Sequence, residues 1–205
     1  GDVPGAEHVD FDDSAWADFP VGEYWGGYDQ VAWFRARVSV PEAWRNEDTR
    51  LRFRAGPRDG GLSTAEALLF VDGHPLQGID IWHEQAWLPP EHRGPEILVA
   101  LRVWSGMYGV PKRRRFDLAQ LVRPDRGAER FWHLAENLRK AALELGEHDL
   151  RRVTLVNLLG AAMNRVDLFQ PGSESFYGSL ADAAEQLADG IAELAPDAAA
   201  PTVVG

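Results

Sequence analysis

Asp12 and Asp13, inside Phe11-Asp12-Asp13-Ser14-Ala15-Trp16, are the first adjacent pair of carboxylates in this 205-residue chain. Cleaving a glycosidic bond takes two carboxyl groups facing each other across about 5 to 9.5 Å. Neighbouring side chains on extended backbone point to opposite sides, so this pair does not meet that need. Asp13-Ser14-Ala15-Trp16 reads instead as a capped turn that packs Trp16 against the body of the fold. A second group, Asp80, His83, Glu84 and His92, has residue types that ligate metals. Its spacing fits no metal motif: Gln85 and Ala86 follow His83-Glu84, and no second histidine stands four residues after the first. The expectation is a hairpin segment whose polar groups bond to backbone or meet an adjoining domain, with no metal ligand and no catalytic residue. Asp80, Trp82 and His83, with Tyr108 in a second loop, are candidates for touching a carbohydrate or a neighbouring domain, since aromatic and polar groups side by side suit both tasks. The basic run Lys112-Arg113-Arg114-Arg115 reads as a solvated loop or a contact to acidic residues of another domain, not as a nucleic-acid patch. There is no Gly-x-Ser-x-Gly elbow, no glycine-rich phosphate loop and no cysteine nucleophile.

The elements that must position these groups change character near Pro124. Ala67-Leu68-Leu69-Phe70-Val71 is an apolar run with strand character, and Asp72-Gly73 is a two-residue turn of the kind that closes a β-hairpin. Glu96 to Val103 gives another strand, with Ile97, Val99, Leu101 and Val103 on one face. Val31 to Val40 alternates bulky and charged residues with a period near two and stops at Pro41. Gly56-Pro57, Asp59-Gly60-Gly61 and Pro89-Pro90 punctuate the same region. Residues 1–123 are therefore expected to form an antiparallel β-sandwich of the jelly-roll, galactose-binding-like kind. Seven of the eight tryptophans lie at or before Trp104. Most must be core, leaving one or two of Trp25, Trp82 and Trp87 for an exposed platform.

From Pro124 the apolar period is helical. Phe131, Leu134, Ala135, Leu138, Ala142 and Leu145 share a face, and Gly146 suits a C-terminal cap. Asp149 can cap a second helix with a stripe through Leu155, Leu158, Leu159, Ala162, Met163, Val166 and Phe169. After Pro171-Gly172 a third stripe runs through Phe176, Leu180, Ala183, Leu187, Ile191 and Leu194. Residues 124–195 are expected to be a three-helix linking subdomain, and 196–205 a linker running into the first strand of a catalytic domain. A formal charge of −11 disfavours nucleic acid and anionic membrane as partners, and no apolar stretch is long enough to span a bilayer. Disulfides and thiolate metal sites are excluded by the lack of cysteine.

The order Trp33-Phe34-Arg35, Val40-Pro41-Glu42-Ala43-Trp44 and Leu69-Phe70-Val71-Asp72-Gly73-His74-Pro75-Leu76-Gln77-Gly78-Ile79-Asp80, with His83, resembles the N-terminal β-sandwich of α-mannosidases in glycoside hydrolase family 38, closest to their cytosolic and bacterial branch. Phe116-Asp117-Leu118-Ala119 and Phe176-Tyr177-Gly178-Ser179-Leu180 look like the helices that link sandwich and catalytic domain there, and Thr202-Val203-Val204-Gly205 is similar to the strand before that family's His-x-His-x-Asp zinc motif. The resemblance implies a cytoplasmic, retaining enzyme that removes terminal α-D-mannose residues with a bound zinc ion and an aspartate nucleophile. Both of those features would follow Gly205, so no catalytic residue or cofactor is carried onto these positions. The implied role is to buttress the chain's own catalytic domain, to shape the entrance for mannosides or oligosaccharides, or to mediate contacts in a homo-oligomer. Two other readings are the sugar-binding sandwich of a β-galactosidase-like glycosidase and a free-standing carbohydrate-binding module. The apolar helices of residues 124–195 argue against both.

Overall fold

The computed structural model describes residues 2–56, 65–107 and 113–194. The chain divides into two compact units, Gly1–Arg123 and Pro124–Gly205. Among the described residues of the first, nine strands follow one another: β1 (Tyr24–Trp25), β2 (Val31–Val38), β3 (Arg50–Arg54), β4 (Glu66–Val71), β5 (His74–Ile79), β6 (Gln85–Trp87), β7 (Ile97–Trp104), β8 (Arg114–Arg115) and β9 (Leu118–Val122). They pair antiparallel as a four-stranded sheet in the order β2-β7-β4-β5, a three-stranded sheet β6-β3-β9 and a short ribbon β1-β8. The result is a jelly-roll sandwich.

Side-chain alternation explains which faces meet. β3 reads Arg-Leu-Arg-Phe-Arg, burying Leu51 and Phe53 and turning its three arginines outward. Those two residues join Leu69, Val71, Ile97, Val99, Leu101, Val103 and Trp25 in one core. β7 differs from its sequence reading: Leu98 and Ala100 are buried as well as the inward set. A strand covered on both faces reads as a continuous apolar run, and the cover here is the N-terminal segment. Ala6 is fully buried, and Arg102 of β7 donates to the Asp2 carboxylate at 2.9 and 2.7 Å. Arg35 of β2 holds the same segment, donating to the carbonyls of Ala6, His8 and Phe11 and to Asp13 Oδ2. Its guanidinium also sits over the Phe11 ring.

Asp72 and Gly73 both have positive φ, 50° and 84°, as a type I′ turn between β4 and β5 requires. Two expectations are corrected. Phe116-Asp117-Leu118-Ala119 belongs to the sandwich and not to a helix: Phe116 is core, 4.7 Å from the Phe34 ring, and Leu118 opens β9. A short apolar run has no decisive period of its own, and pairing with β3 settles it. The solvated reading of the arginines after Lys112 holds for two and fails for one: Arg113 and Arg115 are exposed while donating to the Tyr24 and Gly22 carbonyls, whereas Arg114 is buried and donates to the Ser105 carbonyl.

The second unit consists of α1 (Arg126–Glu144), α2 (Leu150–Met163) and α3 (Glu174–Leu194), packed on one another. Asp125 and Asp149 cap α1 and α2 by accepting from the N–H groups of Ala128 and Arg151. Phe131, Leu138, Ala162, Leu180, Ala183, Ala184 and Leu187 form the core. The expected α2 stripe is cut short: the helix ends at Met163, so Phe169 leaves the buried face and is 97% exposed. Residues 196–205, read as a linker and strand, lie outside the described residues.

Candidate functional site

The loop between β5 and β6 is built by one carboxylate. Asp80 Oδ1 accepts from the backbone N–H groups of Trp82 and His83, both at 2.7 Å, and both its oxygens lie 3.0 Å from His83 Nδ1. Partial burial raises the Asp80 pKa, but the bonds from His83 and Trp82 outweigh it and leave the pKa below its ordinary value. The turn this creates lifts Trp82 into solvent, 83% exposed, while Ile79 just before it is buried. Asp80, Trp82 and His83 are thus brought together as one exposed loop. Tyr108 lies outside the described residues. Of the three tryptophans considered for an exposed platform, Trp25 is core, its indole N–H bonded to the Ala55 carbonyl, while Trp82 and Trp87 are exposed.

The metal-type residues nearby are not gathered. Glu84 is buried and paired with Arg54 and Arg52, and His92 Nδ1 faces Asp72 Oδ2 at 3.2 Å. Zinc takes three or four nitrogen, sulfur or oxygen ligands around one point. Among the described residues no group of three His, Asp or Glu side chains offers that, so these residues do not fit a zinc ion. Asp12 and Asp13 are parted as expected of neighbours on extended chain: Asp12 accepts from the Ser14 N–H, whereas Asp13 pairs with Arg35.

A cavity of about 410 Å³ opens beside β2, lined by Asp13, Trp16, Asp18, Phe19, Phe34 and Phe116 among others, with buried Val99 and Leu101 at its floor. Phe19 packs on Phe34 at 5.0 Å and on Phe116 at 6.4 Å, closing the open side of the sandwich core. Sequence reasoning missed this place, because Asp18 and Phe19 carry no local pattern and meet β2 only through the fold. The segment Trp16 to Phe19 is the one signal, an aromatic-acidic stretch too short to assign.

Residues 3–134 match the family described as the jelly roll domain of α-mannosidases. The chain belongs to that family. It represents an N-terminal region of a glycoside hydrolase family 38-type α-mannosidase, an accessory domain with jelly-roll architecture followed by three helices. No curated protein matches the chain. Among the described residues no helix is long and apolar enough to cross a membrane.

Proposed function

We propose that this α-mannosidase jelly roll domain, with its helices, is the non-catalytic platform on which the enzyme's catalytic domain docks, and that α2 presents the docking face. The observation that carries this reading is the exposure of that helix. Leu150, Val153, Val156 and Met163 follow at intervals of three and seven residues, share one side, and are all exposed, as are Leu168 and Phe169 after the helix. α2 thus has apolar residues on its exposed side as well as on the side packed against α1 and α3, and an exposed apolar surface of this kind marks an interaction site. The Trp82–His83 loop is the second contact candidate, for the catalytic domain or for the mannoside it admits. In this reading the whole enzyme is cytoplasmic and hydrolyses terminal α-D-mannose residues with retention. Zinc and an aspartate nucleophile are supplied by the catalytic domain, as the resemblance to family 38 implies.

The test uses the full-length enzyme and this 205-residue chain in parallel, each carrying Val153→Gln and Val156→Gln. The expected result is an unchanged melting temperature for the chain, with lost thermal stability and lost turnover of an aryl α-mannoside in the full-length enzyme. Unchanged stability and turnover in the full-length enzyme would overturn the docking face. If the double variant instead dissociates a homo-oligomer and leaves activity intact, the face belongs to a second copy and the platform reading fails.

A further inference from the structure

The outer face of α3 carries one sign of charge. At 3.6 residues per turn, Glu174, Asp182, Glu185, Asp189 and Glu193 fall within about 100° of its circumference, opposite the buried Leu180, Ala183 and Leu187. No lysine or arginine stands in the helix. Asp182–Glu185, Glu185–Asp189 and Asp189–Glu193 are like charges one turn apart, and Glu193 sits in the last turn, where the helix end is already negative. The outer side of α1 is built differently, for Glu136 there pairs with Arg139 at 2.7 Å and with Lys140 at 3.6 Å. Among the described residues none of the four carboxylates from Asp182 to Glu193 has an ion-pair partner.

Those four line a groove of about 590 Å³ between α2 and α3. The two helices touch at its floor, where a Cβ on Gly190 would lie 2.5 Å from Leu158 Cδ1. Gln186 lines the groove as well, and its side-chain oxygen is buried without a hydrogen-bond partner. Buried polar atoms are nearly always paired, so this orphan acceptor marks a missing donor beside four unpaired carboxylates. Arg165 also lines the groove but leaves it net negative. The carboxylates extend over about 16 Å of helix, too far for one metal ion, and no group of three among the described residues could hold one. A helix with Lys or Arg at every third or fourth position has the same rise between charges and meets the whole row in register.

We propose that the groove seats a basic helix of the catalytic domain, whose Lys or Arg side chains pair with Asp182, Glu185, Asp189 and Glu193 and donate to Gln186. The proposal rests on the platform reading and supplies the partner's chemistry, without requiring α2 to be the docking face.

Glu185→Gln with Asp189→Asn, made in this 205-residue chain and in the full-length enzyme, tests it by sign. In the chain the amides relieve repulsion, so the melting temperature should hold or rise. In the full-length enzyme it should fall by about 2 to 4 °C, the scale of one or two lost ion pairs. Raising the salt from about 0.05 to 0.5 M should shrink that gap between variant and parent. Glu144→Gln, on α1, should lower neither protein. Shifts of the same sign and size in both proteins, or none in either, would mean a solvated face and overturn the proposal. If the loss in the full-length enzyme comes with dissociation of a homo-oligomer, the occupant is a second copy and the proposal fails as well. Neither result decides the role of α2, which stands or falls on Val153→Gln and Val156→Gln, so the two failures are told apart.

Discussion

Asp2 ties the N-terminal segment to the sandwich through a single carboxylate. Hydrogen bonds from Arg102, and then from the Trp33 indole, lower its pKa from 3.8 to about 2. A folded-state pKa below the unfolded one contributes stability above the unfolded value, and that contribution fades as pH falls through the folded one. The clamp is therefore whole above about pH 4 and released toward pH 2. Amide exchange in residues 2–11 should accelerate across that window, and Asp2→Asn should show the faster exchange already at neutral pH. Equal protection at pH 4 and pH 2 would show that Asp2 is not the clamp. Arg35 holds the same segment from inside, its side chain only 3% exposed. Arg35→Ala strands three carbonyls and a carboxylate and should cost about 3 kcal/mol in chemical denaturation. Trp82→Ala, in contrast, should change stability by no more than about 0.5 kcal/mol. A loss of several kcal/mol there would place Trp82 in the core and remove the contact loop.

Two glycines separate what an element tolerates from what it demands. Gly26, just after β1, has φ +70°, and a Cβ there would lie 2.9 Å from the Ser105 Cβ. Gly26→Ala combines left-handed backbone strain with a contact to a side chain that has no room to rotate away, and should cost about 2 kcal/mol. Gly160 lies within α2 with nothing within 4 Å of the same atom. Gly160→Ala should raise stability by about 0.5 to 1 kcal/mol through helix propensity and the less flexible unfolded chain. Thermal melts of the two variants should move in opposite directions, and movement of both the same way would contradict one of the two local geometries.

At the scale of the molecule both units leave apolar residues in solvent, and they differ in how those residues are arranged. The sandwich unit spreads Leu68, Trp82, Trp87 and Met107 over separate strands and loops. The helical unit leaves Leu150, Val153, Val156, Met163 and Phe169 exposed. An environment-sensitive apolar dye should therefore bind this chain in its folded state, and Val153→Gln with Val156→Gln should reduce that signal without lowering the melting temperature. A dye signal unaffected by the double change would mean that the apolar surface lies elsewhere.

Where local chemistry is enough, the sequence by itself determined the outcome. Asp72-Gly73 specifies a turn with two positive φ angles, Asp149 caps α2, and the change of apolar period at Pro124 separates strands from helices. Each of these depends on residues only a few positions apart. β3 and β9 were not legible, because a five-residue strand is defined by the partner it pairs with, and those partners are more than sixty residues apart in the chain. The same holds for the buried outer face of β7, for Arg114 as a buried tie and for the cavity between residues 13–19 and β2. The family resemblance was legible in the order of motifs, yet the exposed side of α2 was not. Its stripe of Leu, Val and Met reads the same whether it faces a core or solvent, and only the packing of α1 and α3 on its other side decided which residues were left uncovered.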